Sequence, residues 1–153
     1  MQPSLLLVLT LLSMASALRP APWHTMKVPA GREEGSGRRF AVVKTWRTYN
    51  SAQSYCRNTY RGQLASVHST STNEVLRKLA STYTHFSLWI GAVTSCQNGS
   101  WKTCWEDQSP WNYANWATGQ PQRLFKTCTV LSPKDGLWRS KACFKIRPFI
   151  CEY

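Results

Sequence analysis

Seven basic side chains, Arg123, Lys126, Lys134, Arg139, Lys141, Lys145 and Arg147, fall between Gln120 and Arg147, opposed there only by Asp135. Guanidinium forks grip sulfate, phosphate or carboxylate bidentately and ammonium groups act as point charges, so this stretch is a candidate polyanion site. Just ahead of it, Trp111 to Gln122 carries the amides Asn112, Asn115, Gln120 and Gln122, the donor and acceptor types that hydrogen-bond sugar hydroxyls. Trp111, Trp116 and Trp138 offer faces for stacking on sugar rings, although core packing is their favoured role. No acid and base pair and no nucleophile with a base is suggested. Glu74, Glu106, Asp107 and Asp135 have solvated or capping roles open to them, so a binding module without catalytic residues or cofactor is expected.

Six cysteines, Cys56, Cys96, Cys104, Cys128, Cys143 and Cys151, make an even set. Disulfides are their expected fate; zinc is the rival, but there is no CxxC pair, and His24, His68 and His85 lie far apart. With all six paired, no thiol remains to act as a nucleophile. Residues 1–17 run from the apolar stretch Leu5 to Leu12 into Ala15-Ser16-Ala17, the pattern of a secretory signal peptide too short to span a bilayer. A secreted chain is therefore expected. Its net charge is +12, from 19 Lys and Arg against 7 Asp and Glu, which speaks to acidic partners or to solubility and not to fold. Outside the cell those partners are sulfated glycans, anionic membranes and microbial surfaces; nucleic acid is not expected as a physiological partner.

The elements that must position these residues fit one domain. Residues 18–39, rich in Pro, Gly and charge, read as a flexible leader ending in Gly37-Arg38-Arg39, either a processing site or simply exposed arginines. Phe40 to Trp46 is a strand. Asn50 caps a helix with Gln53 in capping-box position, placing Ala52, Tyr55, Cys56 and Thr59 on one face before Gly62 stops it. Leu64 to Val67 is a short strand. Ser71-Thr72-Asn73-Glu74 opens a second helix with Val75, Leu76, Leu79 and Ala80 inward. Leu88-Trp89-Ile90-Gly91-Ala92 is a strand buried on both faces, its glycine allowing close backbone approach. Asn98-Gly99-Ser100 is a turn and the one glycosylation acceptor, at Asn98. Trp111 to Gln122 is a long structured loop, followed by strands at 127–131, 136–139 and 149–151.

Several of these residues resemble a C-type lectin-like domain over residues 40–153: Cys56, Trp89-Ile90-Gly91, Trp111-Asn112, Asn115-Trp116, Gly119-Gln120-Pro121, Cys128, Trp138, Cys143 and Phe149-Ile150-Cys151. The resemblance implies an α+β fold, two helices with small antiparallel sheets and a long loop region, stapled by Cys56 with Cys151 and Cys128 with Cys143. It leaves Cys96 to pair with Cys104. Sugar-binding members of the family hold calcium with Glu-Pro-Asn or Gln-Pro-Asp, a following Glu, and Trp-Asn-Asp. Here those places read Gln120-Pro121-Gln122, Arg123 to Lys126, and Trp138-Arg139-Ser140, so every carboxylate of the pattern is replaced and no metal site is expected. The likeness extends to a cationic branch of the family through Thr59 to His68, Leu137 to Cys143 and Arg147 to Cys151. It implies an immune-defence protein of secretory granules that binds heparin-like glycans without calcium and damages microbial or cell membranes. A lectin for neutral sugars, with Asn112, Asn115, Gln120, Gln122 and Trp138 as contacts, and a protein-interaction module are the alternatives.

Overall fold

The computed structural model describes residues 25–27 and 37–153. The expected signal peptide and most of the leader lie outside the described residues. The fold is organised on strand β4 (Leu88–Gln97), whose first five residues are all buried. Its two faces feed two clusters. Leu88, Ile90 and Ala92 pack with Leu76, Leu79 and Ala80 of helix α2 (Thr70–Tyr83) and with Trp105, Leu131 and Trp138. Trp89 packs with Tyr49, Ala52 and Cys56 of helix α1 (Tyr49–Tyr60), and with Val130 and Phe149. The continuous apolar run Leu88 to Ala92 is therefore sandwiched between helices, as its sequence requires. Gly91 is the point of closest approach, because a Cβ there would stand 2.6 Å from Leu64 O.

The remaining strands are β1 (Thr25–Lys27), β2 (Arg39–Arg47), β3 (Gln63–Leu64), β5 (Ser100–Trp105), β6 (Thr127–Leu131), β7 (Trp138–Lys141) and β8 (Arg147–Glu152). They run β1-β2-β8-β4-β6-β7, with β3 on β8 and β5 on β4. Every pairing is antiparallel except β4 with β8, which meet in parallel at Trp89 and Phe149. The leader is thus partly structured, since Thr25–Lys27 pairs with Ala41, Phe40 and Arg39. Arg38 is not simply exposed either: its guanidinium bonds Ser66 O and pairs with Glu152.

Both helices begin ahead of the expected caps. Thr48, extended at ψ 161°, caps α1 by accepting from Ser51 N–H, and exposed Asn50 falls inside the first turn. Gln53 does not complete a capping box, because its Oε1 accepts from Leu64 N–H at 2.8 Å and ties α1 to β3. Arg61, at φ 54°, supplies the left-handed end, while Gly62 lies against Glu152 O where a Cβ would sit 1.8 Å away. Ser69 caps α2 by accepting from Thr72 N–H at 3.1 Å. Glu74 instead pairs with Arg77, three residues on. β3 is shorter than expected, but Ala65 continues its path, donating to Ile150 O and accepting from Gly91 N–H.

Cys56 joins Cys151 across 95 residues and Cys128 joins Cys143 across 15, as the resemblance implies. In the chain-entropy account these closures are worth about 4.7 and 3 kcal/mol. The third pairing is corrected: Cys96 and Cys104 are both free and exposed. Asn98 and Gly99, at φ 53° and 79°, form a two-residue turn that sets Cys96 opposite Trp101 and Cys104 opposite Val93. Thr94 and Thr103, whose hydroxyls meet at 2.7 Å, mark one face of the ribbon. Side-chain alternation puts Cys96 on that face and Cys104 on the other, three register positions away.

Candidate functional site

Between β5 and β6 the chain makes the long loop, and Trp138 at the start of β7 is its anchor. Trp138 is fully buried and meets Trp105, Tyr113 and Trp116 at ring-centroid distances of 5.4, 5.7 and 5.7 Å. Its indole N–H donates to Asn73 Oδ1 at 2.8 Å, and Asn73 Nδ2 donates to Gly136 O. A buried asparagine of α2 thereby holds the ring and the turn before it. Backbone bonds from Ala117 N–H to Trp138 O and from Trp138 N–H to Asn115 O lay the loop along β7. Trp138 therefore serves in the core, as favoured, and Trp116 is packed against it; Trp111 remains partly open at 37% exposure.

Three of the four expected sugar-contacting amides are hydrogen-bonded through their side chains within the protein. Asn112 Oδ1 meets His68 Nδ1 at 2.8 Å, and Asn115 Nδ2 donates to Gly136 O at 2.8 Å. Gln120 Oε1 accepts from Ser140 N–H at 2.9 Å, and Gln122 N–H donates to Ser140 Oγ at 3.0 Å. The Gln122 side-chain amide is buried without a hydrogen-bond partner among the described residues. Ser140 thus gathers the two glutamines and sews the loop to β7. That donor set does not fit calcium, which takes six to eight oxygens with carboxylates among them. Among the described residues no three His, Cys, Asp or Glu side chains gather into a metal cluster.

The basic residues divide. Arg123, Lys126, Lys134 and Lys145 are exposed; Arg139, Lys141 and Arg147 are half-buried. Arg139 pairs with Asp135 at 3.1 Å, which lowers the Asp135 pKa through their hydrogen bond and withdraws that arginine in part from the free set. Lys141 stands opposite Cys128 in the sheet, and Lys126 lines a cleft with the Cys128–Cys143 bridge. Arg147 is register partner to Arg47 of β2, a like-charged pair in which Arg47 lies outside the stretch first singled out. Such pairs disfavour the fold unless an anion or another partner offsets them. Arg47 stacks on Tyr55, 4.8 Å from the ring centroid.

A second feature emerges only with burial in hand. Leu124, Phe125, Phe144 and Ile146 are exposed, and they alternate with cations in Arg123-Leu124-Phe125-Lys126 and Phe144-Lys145-Ile146-Arg147. The two tetrapeptides flank Cys128 and Cys143, so the interleaving was present in the sequence; exposure was not. Deeper in, Glu152, Asp107, Ser66 and Arg38 form one cluster. Ser66 Oγ donates to Asp107 Oδ2 at 2.6 Å, and Asp107 also accepts from Ser109 N–H at 2.9 Å. Burial, then Asp107, push the Glu152 carboxyl up to about 7 against the pull of Arg38. Burial would raise Asp107 as well, but hydrogen bonds from Glu152, Ser109 and Ser66 hold it at about 2.

Residues 45–153 match the model of the lectin C-type domain. The chain belongs to the C-type lectin domain family. Bone marrow proteoglycan of Rattus norvegicus is 40% identical to it over 119 residues, covering 75% of this chain and 51% of the relative. Eosinophil granule major basic protein 1 of Cavia porcellus is 36% identical over 118 residues, covering 76% and 51%. The chain therefore spans about half the length of the curated relatives it matches. Among solved structures, a calcium-independent type II antifreeze protein is similar at 26% identity and a TM-score of 0.65, with 82% of this chain and 93% of that one covered. Human lithostathine shares the fold at 23% identity and a TM-score of 0.68, covering 89% and 96%. Within this lectin domain, the positions that hold calcium in sugar-binding members are Gln120, Gln122, Arg139 and Ser140, the residues engaged in the internal bonds described above.

Proposed function

We propose that the chain is a secreted, strongly basic lectin-like module that binds heparin-like glycans and anionic microbial or cell membranes without calcium, in immune defence. One observation carries this reading. At the metal positions Gln120 is spent on Ser140 and Arg139 on Asp135, while two cation-bearing limbs flank the Cys128–Cys143 bridge and neither limb carries a carboxylate. Sixteen of the 19 basic residues lie at or after Arg38, against five of the seven acidic ones, so the domain itself holds the charge. The exposed apolar side chains between the cations favour surfaces with a hydrocarbon interior as well as sulfated sugars. Relatives named as granule and major basic proteins support the defence assignment and storage in secretory granules. Described helices include none long and apolar enough to cross a membrane, and the reading needs none.

Heparin chromatography across a salt gradient, with calcium and again with EDTA, is the test. Screening at high salt should release the protein by about 0.5 M NaCl, because the Debye length falls to roughly 4 Å there. EDTA at low salt should release nothing. Elution by EDTA would sink the calcium-free reading, and weak retention under both conditions would sink the polyanion reading. Neutral monosaccharides should not compete, since Asn112, Asn115 and Gln120 already have partners.

A further inference from the structure

A cleft of about 530 Å³ opens beside the Cys128–Cys143 bridge, away from the amides of the lectin loop. It is lined by Thr48, Tyr49 and Asn50 at the start of α1, by Val93 and Glu106, and by Phe125, Lys126 and Phe144. That volume suits a small ligand. Three features define what would enter. Phe125 and Phe144 are 55% and 74% exposed, and Lys145 Nζ stands 5.6 Å from the Phe144 centroid, so that ring already draws a positive charge while most of its surface stays open. Glu106 accepts one hydrogen bond, from the Tyr49 hydroxyl at 3.1 Å, and makes no ion pair among the described residues. Its contemporaries Glu74, Asp135 and Glu152 each hold an arginine. In a domain so rich in cations, a carboxylate left uncompensated in a cleft is a place for a cation from outside.

Rings beside a carboxylate bind organic ammonium groups, since the ring faces attract positive charge and the carbon substituents pack on them. Tyr49 reinforces the polarity: burial and the neighbouring Glu106 raise its pKa, so the hydroxyl stays protonated and donates. Lys126 lines the same cleft and opposes a bare cation at its end, while attracting an anion. A ligand with both charges satisfies both groups. We propose that this cleft binds a zwitterion whose ammonium and phosphate lie a few atoms apart, the chemistry of choline phosphate. The ammonium sits between Phe125, Phe144 and Glu106, and the phosphate faces Lys126. The site shares Phe125, Lys126 and Phe144 with the proposed polyanion surface, and Glu106, which that surface does not use, is what distinguishes it.

Titration calorimetry with phosphocholine, choline chloride and inorganic phosphate tests it directly. Phosphocholine should bind at least about tenfold more tightly than either half-ligand, since each half leaves one charge of the cleft unanswered. Glu106→Gln should lose about tenfold or more in phosphocholine affinity with its melting temperature and heparin elution unchanged. Phe144→Ala, at an exposed position that the core does not use, should weaken binding without touching the fold. Phosphatidylcholine vesicles separate the sources: binding to vesicles that Glu106→Gln abolishes assigns a lipid headgroup, and binding of soluble phosphocholine alone assigns the free zwitterion. No phosphocholine binding at millimolar concentration, by calorimetry at two temperatures, would overturn the proposal. Equal binding by wild type and Glu106→Gln would overturn it too.

Discussion

Acid should stabilise this domain, and Glu152 should be the reason. Its carboxyl titrates at about 7 in the folded protein against an ordinary value of 4.5, because it is buried and sits beside Asp107. A group with a raised folded pKa contributes stability that is fully present below the unfolded value and is lost as pH rises through the folded one. The window is therefore pH 4.5 to 7, and the loss across it is about 3 kcal/mol, from 1.36 kcal/mol for each pH unit. Asp107, lowered to about 2, has the opposite sign and acts only below about pH 4, where acid removes its contribution. For a domain of this size 3 kcal/mol is on the order of 10 °C in melting temperature. Thermal unfolding followed by near-ultraviolet circular dichroism at pH 5 and pH 8 should show that drop in the wild type. In Glu152→Gln most of the drop should disappear, whatever the absolute stability of the variant. The histidines are common to both proteins and cancel in the comparison. Equal slopes in the two proteins would refute the role given to Glu152.

Other outcomes follow from the same geometry. Asn73→Ala strands the Trp138 indole N–H in the interior and leaves Gly136 O with Asn115 as its remaining side-chain donor, and should cost about 1–3 kcal/mol, read as a lowered urea midpoint with an unchanged slope. Gln120→Ala removes one bond to Ser140 and should cost only about 1 kcal/mol while leaving heparin retention calcium-blind. Native protein should offer two thiols to a thiol-specific reagent, Cys96 and Cys104, without prior reduction, and an internally bridged pair giving none would contradict the hairpin register. Charge reversal at Lys126 and Lys145 should shift heparin elution to lower salt more than reversal at Arg139, which is already paired with Asp135. The reverse order would move the polyanion face to β7.

Local pattern carried far where short-range physics decides. The continuous apolar run at Leu88 to Ala92 announced a strand buried on both sides, and Gly91 its point of close approach. The two helices were legible from apolar spacing, but their first residues were not. Thr48 competes with Asn50, and Ser69 with Ser71, as caps; which oxygen wins depends on where the preceding strand or loop delivers an extended residue. The cysteine error is instructive in the same way. Asn98-Gly99 was read as a turn, and a two-residue turn already implies the register that parts Cys96 from Cys104. Counting cysteines overrode a signal that geometry would have honoured.

By itself the sequence determined the family, the two long-range disulfides that resemblance carried, the replaced carboxylates of the lectin loop and the excess of positive charge. These depend on residue identity, which folding does not alter. Only tertiary structure decided what each group faces: that Gln120 and Gln122 close on Ser140, that Arg38 reaches across 114 positions to Glu152, and that Glu106 shares a cleft with Lys126 and two exposed rings. Partners far apart in sequence are chosen by packing, since desolvation and hydrogen-bond reach act over a few ångströms of space and take no account of distance along the chain.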